Sequence, residues 1–188
     1  DEYTLIHGGA GGTGQMAVQV ARLLGAKVAA TVSTQTKADL VSDLGADRLI
    51  LYKDEDFVIA VADWTAGRGL DVALDNVGPE VMTRTFAAMA AYGRMVTLMG
   101  TPADDGDLNA YNRNLTIHNV MMLTPMWFGL HNHLKRQAAI VRKLIDHLAT
   151  GQIKMTIAGV YPLSDAAKAH QFLEAGGMSG KVVLDTSE

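Results

Sequence analysis

Three observations predict an α/β chain built on a doubly wound, six-stranded parallel sheet with helices on both faces, plus a short C-terminal β-α-β tail. The first is the apolar strand Thr4 to His7, which runs straight into a glycine turn and an amphipathic helix. The second is repetition: short apolar runs at 27–32, 48–52, 71–75, 94–99 and 115–123 alternate with helical periodicity, the pattern of parallel crossover units. The third is bulk composition, since 188 residues with 48% apolar and 19% charged side chains can bury one substantial core.

Each element has its own local reason. Ala17, Val20, Ala21 and Leu24 form the predicted apolar stripe of the first helix, which Gly25 ends as a C-terminal cap. Thr34 is the predicted N-cap of a second helix reaching Leu44-Gly45, and the strand Arg48 to Tyr52 completes a β-α-β-α-β half. The second half opens with a helix from Asp56 to Thr65, the turn Ala66 to Gly69 and the strand Asp71 to Asp75. Pro79 suits the first turn of a helix running to Ala91, and Gly100-Thr101-Pro102 ends the next strand. Ala103 to Asn114 reads as a polar loop, Leu115 to Leu123 as the sixth strand and Gly129 to Thr150 as a long helix. The organisation predicted is a nucleotide-binding domain over 1–150 and a tail over 151–188. The tail holds a strand near Val160-Tyr161, a helix from Ser164 to Ala175 and a strand over Lys181 to Leu184, too little mass for a core of its own. Because the chain opens on Asp1 and enters its first strand almost at once, it reads as a piece of a longer protein.

Composition narrows the function classes. The net charge of −4, with Lys and Arg scattered, argues against a nucleic-acid surface and leaves small molecules as the expected ligands. No apolar run approaches the ~20 residues that cross a bilayer, and there are no cysteines for disulfides or thiolate metal sites. A cytoplasmic location is the expectation. His131 and His133, two residues apart, do not share a helix face, and with His118 and His147 elsewhere no tetrahedral set is completed, so no metal is expected within this segment, the zinc status of the longer protein being open.

The glycine turn points to chemistry. Gly9, Gly11 and Gly14 supply the G-x-G-x-x-G spacing of a Rossmann dinucleotide site, with Ala10, Gly12 and Thr13 between them. The first glycine permits the sharp turn, the second lets a pyrophosphate approach the backbone, and the third lets helix and strand pack closely. The phosphates then sit at the helix N-terminus, on free N–H groups and the positive end of the dipole. A P-loop is excluded because Gln15 and Met16 stand where Lys and Ser or Thr are required. Where an NAD site places a carboxylate, after the second strand, this chain has Ser33 and Thr34. A carboxylate repels a 2′-phosphate, whereas hydroxyls donate to it and Lys37 supplies a charge, so NADP(H) is the expected cofactor. Lys37 as an ordinary solvated helix residue is the competing reading. A hydrolase is not supported, for want of G-x-S-x-G. No tyrosine is followed by lysine four residues later, which removes the short-chain dehydrogenases, and a methyltransferase wants an acid at Ser33.

Together His7 to Gly14, Ala17 to Ala21, Ala30 to Thr34, Leu44 to Asp47, Asp71 to Gly78, Gly93-Arg94, Tyr161 to Leu163 and Gly180 to Val183 resemble the medium-chain dehydrogenase/reductase superfamily, in particular its zinc-independent quinone oxidoreductase-like branch. The resemblance covers nearly the whole chain and implies a barrel-like catalytic domain upstream, on which the tail packs. It implies that Ser33, Lys37 and Tyr52 contact the adenosine 2′-phosphate region. It places Asn76, Val77, Met99, Gly100 and Thr101 near the nicotinamide ribose, and Val120, Met121 and Met122 beside the nicotinamide ring. Methionines filling a core and an Asn76 that only shapes a turn are the plainer alternatives. The β-forming segment 115–123 falls at a sheet edge, where a homodimer with a continuous sheet is expected.

The expected function is the coenzyme-binding part of an NADPH-dependent oxidoreductase that transfers hydride to a quinone, enone or similarly activated carbonyl. A zinc-dependent alcohol dehydrogenase relative and a non-catalytic NADPH sensor or structural module are the alternatives. No catalytic acid or base can be named from these residues, so the isolated chain is expected to bind dinucleotide and turn over poorly or not at all.

Overall fold

The computed structural model describes residues 1–102 and 108–187. In chain order, β1 (Tyr3–Ile6), α1 (Gly12–Leu23), β2 (Lys27–Val32), α2 (Gln35–Asp43) and β3 (Arg48–Leu51) form one half. The other half is α3 (Phe57–Trp64), β4 (Leu70–Asp75), α4 (Pro79–Thr85), β5 (Met89–Thr97), α5 (Leu108–Asn112) and β6 (Thr116–Asn119). The six strands pair in the order β3-β2-β1-β4-β5-β6, every pair parallel. The chain moves outward from β1 to β3, then returns to lay β4 on the other side of β1. At that reversal the connections leave the sheet in opposite directions and open a crevice at the carboxyl ends of the strands. Beyond the sheet come α6 (Thr124–Trp127), α7 (His131–Ala149), and a two-stranded parallel sheet of β7 (Ile157–Pro162) and β8 (Lys181–Asp185) joined through α8 (Ala166–Glu174).

Strand periodicity divides the core between the two faces. Leu5, Ala29, Ile50, Ala73 and Met95 point to one face, where they meet Phe57, Ala60 and Val61 of α3 and Met82 of α4. Their strand neighbours Ile6, Val28, Ala30 and Val32 point to the other, against Val18 of α1 and Ala38 and Val41 of α2. Full burial of each larger apolar side chain contributes about 1.5–3 kcal/mol, so both faces hold the sheet from within.

Several predicted boundaries shift. In the stripe Ala17, Val20, Ala21 and Leu24, Ala17 and Ala21 pack half-buried against this second core, but the stripe also lines an open groove over Val72, Leu74 and Val96, and its end, Leu24, is 82% exposed. The buried residues of α1 are Gly14, Gln15, Val18 and Gln19 instead. Gln15 donates to the Ala10 carbonyl at 2.8 Å and Gln19 to the Lys154 carbonyl at 2.9 Å, which satisfies both buried amides and ties the tail to α1. The fourth helix stops at Thr85, followed by a 3₁₀ turn over Phe86–Ala88, and not at Ala91. Its alanine-rich end favours helix, but Met89 pairs with Leu70 across a bulge, so sheet pairing overrides propensity. The predicted loop 103–114 contains the short helix α5, while its residues 103–107 lie outside the described residues. The sixth strand, expected over 115–123, is only Thr116–Asn119, because the chain turns from Met121 into α6 around Pro125. No helix of the described residues is long and apolar enough to cross a membrane.

Candidate functional site

The parallel sheet gathers the predicted site residues along one edge. Tyr52 follows β3, Ser33 follows β2, the turn Gly8 to Gly11 follows β1, Asn76 and Val77 follow β4, Met99 to Thr101 follow β5, and Val120 to Met122 follow β6. At ~4.8 Å per strand this row extends about 24 Å. Residues far apart in sequence therefore line one continuous surface because every strand points the same way.

At its centre the turn is built to hold a backbone close to a helix end. Gly8 has φ +66°, and the N–H of Gly9 donates to the Thr31 carbonyl at 3.0 Å. A Cβ on Gly14 would lie 2.2 Å from the Gly8 oxygen and 2.8 Å from the Gly9 Cα, both unable to yield. One on Gly9 would meet the Ala30 Cβ at 2.8 Å. Gly14 therefore sets the approach of α1 to the turn, as its place in the spacing predicts. Gly11 is the N-cap of α1; no side chain caps it, and the first turn carries no acidic residue. The first N–H groups of α1 thus point outward without a side-chain acceptor, together with the positive dipole end.

Sequence reasoning missed a cation at this place. Gly180 donates to the Ala10 carbonyl at 3.1 Å and bridges Gly11, bringing β8 beside the turn. The side chain of Lys181 then lies across Gly12, so close that a Cβ there would sit 2.1 Å from the Lys181 Cε. A cation beside a helix N-terminus is unfavourable unless an anion lies between them. Nothing local in the sequence marks Lys181, which is brought there by pairing across 170 residues.

The end of β2 repeats the arrangement. Thr34 caps α2 by accepting from the Lys37 N–H at 3.4 Å, the first turn of α2 has no acidic residue, and Lys37 makes no ion pair among the described residues. Ser33 is half-buried beside it, and Tyr52 is exposed. Tyr52 lines a cleft of about 590 Å³ with His7, Gly8, Thr31, Phe57, Val77 and Arg84, whereas Ser33 and Lys37 lie outside that lining. Arg84 pairs with Asp56 at 2.8 Å and lies 4.7 Å over the Phe57 ring.

Across the reversal point, Asn76 donates through Nδ2 to the His7 carbonyl at 3.1 Å, and its buried Oδ1 has no partner among the described residues. An amide oxygen in that state is an acceptor awaiting a donor such as a sugar hydroxyl. Asp75 accepts from the Val77 and Gly78 N–H groups through Oδ1, and its Oδ2 likewise has no partner among the described residues. Met99, Gly100, Thr101, Val120, Met121 and Met122 are all exposed, so these methionines are not core fillers. His131 and His133 are exposed at the start of α7, and no three His, Cys, Asp or Glu among the described residues cluster to hold a metal. His7 is buried and its pKa is pushed down to about 3, first by burial and then by Arg84.

A family model described as zinc-binding dehydrogenase matches residues 44–184. The chain belongs to that family, within the medium-chain dehydrogenase/reductase superfamily. The family name carries a metal that the described residues have no cluster to hold. Among curated relatives, the hybrid PKS-NRPS synthetase pynA of Aspergillus niger is 34% identical over 97% of this chain and 5% of its own length. The 2-haloacrylate reductase of a Burkholderia species is 30% identical over 97% of this chain and 55% of its own. The solved structure of Escherichia coli quinone oxidoreductase complexed with NADPH superposes with a TM-score of 0.85 at 30% identity, covering 99% of this chain and 57% of that one. The chain therefore spans little more than half of these two reductases and a small part of the synthetase.

Proposed function

We propose that this dehydrogenase-family chain is the NADPH-binding part of an oxidoreductase that delivers hydride to a quinone, an enone or a similarly activated carbonyl. The carrying observation is the pair of uncapped or acid-free helix N-termini, α1 and α2, each with a lysine beside it. Two such sites on one sheet edge suit a ligand with two separate phosphate groups, a pyrophosphate at Gly11 to Gly14 under Lys181 and a 2′-phosphate at Ser33 and Lys37. The orphaned Asn76 Oδ1 suits a ribose hydroxyl, and Met99 and Met121, exposed just after β5 and β6, are available to the nicotinamide end. When bound, the cofactor supplies the hydride, and the chain's residues bind it and fix its orientation. The named relatives, a haloacrylate reductase and a quinone oxidoreductase, support an acceptor whose double bond is conjugated to a carbonyl. We further propose that two copies associate through β6.

Calorimetric titration with NADPH and NADH in parallel, repeated with Lys37→Ala, tests the cofactor reading. NADPH is expected to bind at least tenfold tighter, and the substitution to bring the two within a few-fold, since a charge-assisted bond contributes about 1.5–3 kcal/mol. Equal binding of both cofactors by the unsubstituted protein would overturn the 2′-phosphate site. Binding of neither would overturn the nucleotide reading.

A further inference from the structure

Behind the glycine turn lies a buried chain of hydrogen bonds whose direction follows atom by atom. The Thr85 hydroxyl donates its one proton to the Val81 carbonyl at 2.6 Å, so toward the His7 Nε2, 2.9 Å away, its oxygen can only accept. The ring proton therefore sits on Nε2. In a neutral imidazole that leaves a lone pair on Nδ1, and the Thr31 hydroxyl, 3.3 Å away, donates to it. The Thr31 oxygen in turn accepts the Gly8 N–H at 3.1 Å. The chain thus runs from Gly8 through Thr31, His7 and Thr85 to Val81 with no unpaired member, and the ring is further fixed edge-on to Phe57 at 4.9 Å.

This relay ends on a single peptide group. The Gly8 N–H and the His7 carbonyl belong to the same peptide plane; Thr31 holds the N–H and Asn76 Nδ2 holds the carbonyl. The next carbonyl, that of Gly8, accepts the Gly11 N–H at 3.1 Å and is the atom against which Gly14 brings α1. A tilt of the 7–8 peptide would shift both the first turn of α1 and the orphaned Asn76 Oδ1.

We infer that His7 is a positioning residue for the dinucleotide site, a tautomer-locked strut that, through Thr31 and Thr85, clamps the His7–Gly8 peptide and so aims the glycine turn and Asn76 at the cofactor. This rests on the reading of that turn as the nucleotide site. It is tested on the full-length protein with Thr31→Val, Thr31→Ser and His7→Phe, using NADPH affinity, the melting temperature without cofactor, and nitrogen-15 NMR of the imidazole. Thr31→Val is expected to weaken NADPH binding about tenfold, and Thr31→Ser, which keeps the hydroxyl, to restore it. His7→Phe, where it folds, should weaken binding at least as much, with no further loss on adding Thr31→Val. The imidazole signal should report a proton on Nε2. A Thr31→Val protein that melts lower but binds NADPH like the unsubstituted one would overturn the inference, as would a proton on Nδ1. Failure of the unsubstituted protein to bind NADPH would overturn the nucleotide reading and this inference with it.

Discussion

His7 is a residue whose environment can be read as a pH dependence. Its folded pKa is pushed down to about 3, against an ordinary value of 6.5, because a buried imidazolium would lose its hydration and face Arg84. Between those two values the unfolded chain binds a proton that the folded chain does not, so stability falls as pH falls below 6.5 and continues to fall until about 3. The expected contribution is about 1.4 kcal/mol lost per pH unit inside that window. Urea unfolding at pH 7, 6, 5 and 4 checks it: the His7→Phe protein should show a shallower loss by about that slope, and an unchanged slope would mean that His7 does not remain neutral. The sequence puts His7 at the end of an apolar strand and no more; its burial is a finding of the structure. Nor does the sequence say that Thr31 and Thr85, 24 and 78 residues away, complete its hydrogen bonds.

Among the elements, α1 shows most clearly what local pattern can and cannot carry. The glycine spacing marks where the helix begins and which positions lie tight against the turn, because Gly9 and Gly14 meet backbone or β2 directly. The helix's exposure is another matter. Its apolar stripe lies along an open groove, while the polar Gln15 and Gln19 are buried with their amides satisfied. Periodicity reports an apolar face and is blind to which neighbour will meet it. The same element gains its cation from β8, where Lys181 lies over Gly12. Lys181→Met keeps the aliphatic cover and removes only the charge, so it should weaken NADPH and NADH alike, by roughly tenfold to a hundredfold at low salt. Parallel titrations distinguish this from Lys37→Ala, which acts on NADPH alone; a loss confined to NADPH would place Lys181 at the wrong phosphate.

For the whole molecule, the unanswered edge is β6. All four of its residues are exposed, among the described residues it pairs only with β5, and exposed Val120, Met121, Met122, Met126, Trp127 and Phe128 follow it. An unpaired edge flanked by apolar side chains is a template for a second strand. Sedimentation equilibrium is expected to give twice the 20.1 kDa chain mass, and Ile117→Lys, which sets like charges together across a twofold axis, to weaken association at least tenfold. A single chain mass for the unsubstituted protein at micromolar concentration would overturn the pairing. At this scale the division between sequence and structure is clear. Local pattern was enough for the order of the six parallel strands, the helices that join β1 to β5 and the place of the glycine turn, because period, caps and glycine spacing act over a few residues; it did not reveal α5 or α6. It also determined that no carboxylate follows β2. Long-range packing set where the fourth helix yields to sheet, that Lys181 reaches Gly12, that Asn76 keeps an unsatisfied acceptor, and that His7 is locked between Thr31 and Thr85. Those features depend on contacts between segments far apart in the chain, and such contacts exist only once parallel strands have brought their carboxyl ends to one edge.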